Sequence, residues 1–237
     1  MSDNPSPFQG LEIEDNPVLE VTAQEKTLQQ DLELHMQHFN ALPADCDPVE
    51  KSRLMLDIAE CHLGLDQTDQ AHSWAHQSIA ALIQQEQWPL VVDACDIIYN
   101  CGKDDALVAL GNGIWLSVTF PVDPNISIQL LHHIVDETPD DSDGAAVAAM
   151  LAHYLAETRS SDKDHKNLTF ITNQIVTQVA KRHRNIEDEK TLQTWIKMYQ
   201  LDEIDQLLPK MAIILDTIVD NQWWYDRDDI RSRLPLN

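Results

Sequence analysis

The chain has 237 residues, 43% of them hydrophobic and only 6 of them glycine, and its 40 acidic and 16 basic side chains leave a formal net charge of −24. That length can bury a sizeable core, in one large domain or one elongated array. The charge argues against nucleic acid and anionic membrane surfaces as partners, because an acidic face gains no counterion release from either.

The acidity is concentrated. Residues 1–157 hold 4 Lys/Arg against 27 Asp/Glu, whereas residues 158–237 hold 12 against 13. A basic partner segment would be drawn to the first part, although acidic faces also serve plain solubility. Apolar runs such as 211–215 are far too short to cross a bilayer. The start, MSDNPSPFQG, has neither a basic nor an apolar segment, so no secretory signal is expected. The four cysteines at 46, 61, 95 and 101 follow no disulfide or zinc-ribbon spacing, and reduced thiols in a cytoplasm are the simplest account.

Residues 1–24, with Pro5, Pro7, Gly10 and Pro17 among scattered acids, read as a flexible acidic tail. A first helix is expected from about Thr22 to Leu42, ended by Pro43. Asp47 before Pro48 is a helix start, with proline in the first turn. Residues 53–86 then form two amphipathic helices. Leu54, Ile58, Cys61 and Leu63 stripe the first, and Ala71, Trp74, Ala75, Ile79 and Leu82 stripe the second. The turn Gly64-Leu65-Asp66-Gln67 joins them. Thirty-five residues later the pattern recurs, with Ala94 for Ala59 and Ala106 for Ala71. Here Trp88 to Cys101 is one helix and Asp104 to Val118 the other. Gly102 suits a left-handed turn, and Asp104 an N-cap.

A third pair is expected over Ile126 to Glu137 and Gly144 to Thr158, with an acidic turn between. After the polar linker 159–166, further helices are expected near Leu168 to His183, Asp188 to Tyr199, and Leu201 to about Trp224, with Pro209 kinking or breaking the last. The fold expected is all-α: antiparallel helix pairs stacked as a short α-solenoid over residues 25–158, and a C-terminal helical region over 159–237 packed on them.

Residues 53–121 resemble the tetratricopeptide repeat, a family with a period of 34 residues and small side chains where its two helices cross. Ala59, Ala71, Ala94 and Ala106 match those small positions. The family's Trp, its Gly-Tyr pairing and its helix B aromatic are replaced by Met55, by Ala59 with His62, and by Ala75. In the second unit they are replaced by Leu90, by Ala94 with Ile97, and by Leu110. The resemblance implies an inner groove lined by the first helix of each pair. In the second unit that face would offer Trp88, Val91, Cys95, Ile98 and Tyr99 to an extended or helical peptide, unless the stripe is inter-repeat core. Trp223, Trp224 and Tyr225 either cap the repeats or anchor a partner.

No catalytic signature stands out. His72 and His76 are four apart, a spacing at which two imidazoles can share a metal. Ser73 replaces the Glu that a zinc protease needs, and no Glu lies three before a His, so no metal or cofactor is assigned. Gly111-Asn112-Gly113 lies inside a predicted helix without the lysine of a phosphate loop. Cys95 and Cys101 read as small core side chains. The run Lys181-Arg182-His183-Arg184 reads as a helix C-terminus offsetting its dipole. The expectation is a non-enzymatic adaptor or assembly chaperone that binds a protein partner through a groove and an acidic surface. The alternatives are a metal-dependent helical-bundle enzyme using histidine ligands, or a structural subunit of a larger complex.

Overall fold

A computed structural model describes residues 17–234, with side chains from residue 25 onward. The described residues form eleven α-helices and no strands. The helices are α1 (Pro17–Ala41), α2 (Pro48–Gly64), α3 (Thr68–Gln84), α4 (Trp88–Asn100), α5 (Ala106–Thr119), α6 (Pro124–Glu137), α7 (Asp143–Arg159), α8 (His165–Arg184), α9 (Glu189–Met198), α10 (Ile204–Val219) and α11 (Arg227–Arg233). None of them is long and apolar enough to cross a membrane.

The sequence's start and stop signals set several of these bounds. Asp47 accepts from the Val49 amide at 3.2 Å with Pro48 in the first turn. Asp123 and Pro124 repeat the arrangement at the start of α6, where the Asn125 amide lies 2.8 Å from the carboxylate. Ser142 caps α7 from the acidic turn, and Asp188 caps α9. These side chains satisfy amides that the first helical turn leaves unpaired. Gly102 takes φ +63, as its place after α4 demands.

Three expectations shift. First, α1 starts at Pro17 rather than Thr22, so the last residues of the expected tail are helical, while residues 1–16 lie outside the described part. Second, Gly64 ends α2 rather than opening the turn, and the left-handed residue that follows is Asp66 (φ 57). Gly64 is small for a packing reason: a Cβ there would stand 2.9 Å from a Leu28 methyl of α1. Third, Asp105 rather than Asp104 directly precedes α5, and its side chain caps nothing there.

Neighbouring helices pack in chain order from α1 to α8 as a solenoid-like stack of helix pairs. The short connections make the partners in each pair antiparallel. The small side chains sit where the helices cross: Ala59, Ala71, Ala75 and Ala94 have no exposed surface, while Ala106 opens α5 half-buried. One row holds α2, α4, α6 and α8, here the A row; the other holds α3, α5 and α7, here the B row.

The chain then turns back. α10 packs across α5 and α7 and so covers that part of the B row. α5 is shaped for this lid. A Cβ on Gly111 would lie 2.3 Å from Val219 of α10, and one on Gly113 would lie 2.8 Å from Cys95 of α4. Glycine is what lets α5 approach both neighbours. Between the two glycines, Asn112 is fully buried. Its Oδ1 accepts from the Trp224 amide at 3.0 Å, and its backbone carbonyl accepts from the Tyr225 hydroxyl at 2.6 Å. The Gly-Asn-Gly run is thus the seat of the C-terminal segment.

Candidate functional site

The expected groove stripe is mostly core. Val91, Cys95 and Ile98 have no exposed surface and Trp88 is 8% exposed, so a partner meeting the folded chain cannot reach them. Trp88 stacks on Phe120 at 5.1 Å between ring centroids and meets Tyr225 edge-on. The reason is geometric: the same helical spacing marks a groove lining and a buried face. Tyr99 alone of the stripe stays partly exposed. Its hydroxyl donates to Glu137 at 3.0 Å, its ring lies 4.3 Å from that of His133, and burial, then the Glu137 bond, push its pKa up to about 12.

The C-terminal aromatics are also placed. Tyr225 is buried against Trp115 and Trp88. Trp223 lies 3.7 Å beneath the Arg227 guanidinium, and Trp224 meets the edge of His76 at 5.5 Å. The three rings cover the middle of the stack rather than its end, and Trp223 and Trp224 keep some exposed surface.

What the A row presents is acid. Glu60 and Gly64 of α2, Asp93 and Asp96 of α4, and Ile126 of α6 line one cleft of about 390 Å³. Asp93 carries the strongest perturbation. Burial comes first, then Glu60, Asp96 and Asp123, and together they push its carboxyl up to about 6. Arg53 opposes them. The Glu60 carboxyl is raised as well: its surroundings desolvate it, though the residue as a whole is exposed, and Asp57 and Asp96 add repulsion. Asp96 reaches α6 through Gln129, whose amide donates at 3.3 and 3.4 Å, and its Oδ1 lies 3.7 Å from His133 Nε2. Negative charge is thus gathered in a concave, partly desolvated site, where a cation is worth more than on an open surface.

The basic run at the end of α8 is committed internally. Lys181 pairs with Glu187 at 3.1 Å, and Arg182 donates to the Val135 carbonyl at 2.6 Å. His183 is buried, with Nε2 2.9 Å from Asp143 and Nδ1 accepting from Trp195 at 3.3 Å. Cys61, Cys95 and Cys101 are buried thiols, and burial raises the pKa of each. They pack rather than react.

The B row holds one more cluster. His72 and His76 of α3 converge on Asp105, with Nε2–carboxylate distances of 2.9 and 2.6 Å. Burial alone would raise the Asp105 carboxyl, but the hydrogen bonds from the two imidazoles outweigh it and hold the pKa below the usual range. The i, i+4 spacing of the histidines was legible in the sequence; Asp105, 29 residues beyond His76, was not.

No protein family, curated protein or solved structure matches this chain.

Proposed function

We propose that this chain is a non-enzymatic, tetratricopeptide-like protein-binding module, an adaptor or assembly chaperone whose A row takes a basic segment of a partner protein. The observation that carries the reading is Asp93, held near pKa 6 in a cleft it shares with Glu60 and Asp96. Such a cluster is strained when empty, because like charges crowd in a partly dry site. A Lys or Arg side chain entering the cleft relieves that repulsion and restores the ionised form of Asp93. The surrounding negative field speeds encounter, and the cleft fixes register. Charged groups of this kind set on-rate and specificity, while apolar contacts along the rim slow dissociation.

Two signatures follow. Binding is strongest at low ionic strength, since exposed charges more than a Debye length apart are screened. Binding also expels a proton from Asp93 when carried out near pH 6. The test is capture of partners from the protein's own cells with the tagged full chain, at low and high salt, alongside the variant Glu60→Gln/Asp93→Asn/Asp96→Asn. A stoichiometric basic partner, lost at high salt and lost by the triple variant, is the expected result. Equal capture by both proteins contradicts the reading.

A further inference from the structure

The B-row cluster has the composition and convergence of a metal site. Histidines four apart on one helix place both imidazoles on the same face. Their ring centroids here are 4.4 Å apart, and both Nε2 atoms point to one carboxylate. The third member comes from elsewhere in the chain: Asp105 is the residue before α5. Because its side chain does not cap that helix, both carboxylate oxygens are free to face the histidines. Among the described residues this is the one group of three such side chains whose ligand atoms all lie within 4.8 Å of one another.

The geometry points to a site for one divalent transition-metal ion, zinc by its ligand chemistry, held by His72 Nε2, His76 Nε2 and one oxygen of Asp105. Two imidazoles and a carboxylate are the three-ligand set of an open tetrahedral zinc site, with water in the fourth position. Bonds of about 2.0–2.1 Å in a tetrahedron put neighbouring ligand atoms roughly 3.3 Å apart. The present contacts run to different oxygens, His72 Nε2 to Oδ1 at 2.9 Å and His76 Nε2 to Oδ2 at 2.6 Å, so the ion enters when Asp105 recedes by a few tenths of an ångström and turns one oxygen toward both imidazoles. That movement falls on a half-exposed residue outside any helix, where the backbone yields most readily.

The charge balance favours entry. The neighbouring Asp69 carboxylate is paired with Lys103, so neither supplies net charge to the site, and the cluster with neutral imidazoles carries the single negative charge of Asp105. Each Nε2 must be free of a proton to bind the metal, so binding weakens as the solution is acidified. The site ties α3 of one helix pair to the start of α5 of the next, beside the Trp224 ring. Its structural effect is a clip between repeats.

The experiment uses tag-free full chain in equilibrium dialysis against Zn²⁺, with Co²⁺ as the spectroscopic probe and thermal unfolding as a second readout. The comparison proteins are His72→Ala/His76→Ala and Asp105→Asn. The expected result is one Zn²⁺ per wild-type chain, no specific uptake by the double variant, and affinity reduced by about tenfold or more in Asp105→Asn; loss of a group that only supports a ligand costs 10–100-fold. Zn²⁺ raises the melting temperature of the wild type and not of the double variant. Should the double variant prove unfolded, Asp105→Asn alone decides. Equal Zn²⁺ uptake by wild type and both variants, or a Co²⁺ spectrum showing thiolate coordination, overturns the site.

Discussion

Replacing Asp93 by asparagine probes the acidic cleft without touching its shape. In the unfolded chain this carboxyl ionises near its ordinary value of 3.8; in the folded chain it keeps its proton up to about 6. Folding therefore favours the protonated form. The stability tied to that proton is present in full below the unfolded value and is lost as pH rises through the folded one. A shift of about two units corresponds to about 3 kcal/mol at most, at 1.36 kcal/mol per unit. The cleft is open to solvent and its neighbours are screened, which brings the expected effect to roughly 1–2 kcal/mol.

Asp93→Asn should then stabilise the protein by that amount at neutral pH and by almost nothing near pH 4, where the wild-type carboxyl is already neutral. Urea unfolding followed by far-UV circular dichroism, at both pH values and at two salt concentrations, measures the difference. The gain should shrink with salt, because part of it is repulsion from Glu60, Asp96 and Asp123. A neutral or destabilising effect at neutral pH, or the same gain at both pH values, would refute the cleft electrostatics. A residue whose removal stabilises the fold while weakening partner capture is the usual mark of function maintained against stability.

Other perturbations test the docking of the C-terminal region. Gly111→Ala drives a methyl into Val219 and should cost roughly 1–3 kcal/mol through displacement of α10, whereas Gly102→Ala meets nothing within 4 Å and should cost only the left-handed backbone strain, about 1 kcal/mol. Asn112→Ala leaves the Trp224 amide without its acceptor and should cost roughly 1–3 kcal/mol, visible as faster hydrogen exchange in the 222–234 segment. Arg159 donates to the carbonyls of Ser117, Val118 and Phe120 at the end of α5, at 2.7, 2.6 and 2.9 Å. Arg159→Met should lower stability by roughly 2–3 kcal/mol in urea unfolding, and an unchanged midpoint would remove the cap from the account.

Local signals in the sequence carried most of the fold. Asp47-Pro48, the Ala59/Ala94 recurrence and Gly102 each act within one turn or one helix crossing, so their physics is readable from nearby residues. The return of the C-terminal region was less legible. It depends on Asn112 bonding to residues more than a hundred positions away, and Gly111-Asn112-Gly113 only ruled out a phosphate loop in the sequence. Trp88, Val91 and Ile98 show the limit of periodicity, which finds an apolar face without saying what covers it. The acid count was plain, but its gathering around Asp93 needed α2, α4 and α6 side by side. His72 and His76 were visible as a pair, while Asp105 fell inside the helix expected from Asp104 to Val118, with nothing to link it to them.

The most direct test of the acidic A row as the binding face is site-specific photo-crosslinking in the full chain. One crosslinker replaces Gln129, which sits beside Asp96 on α6; another replaces Ala80, exposed on α3 in the opposite row. A partner crosslinked from position 129 and not from position 80, with the signal lost at high salt, is the result predicted. A partner crosslinked from position 80 alone, or a crosslink at 129 that survives high salt and the Asp93→Asn/Asp96→Asn substitutions, would contradict it.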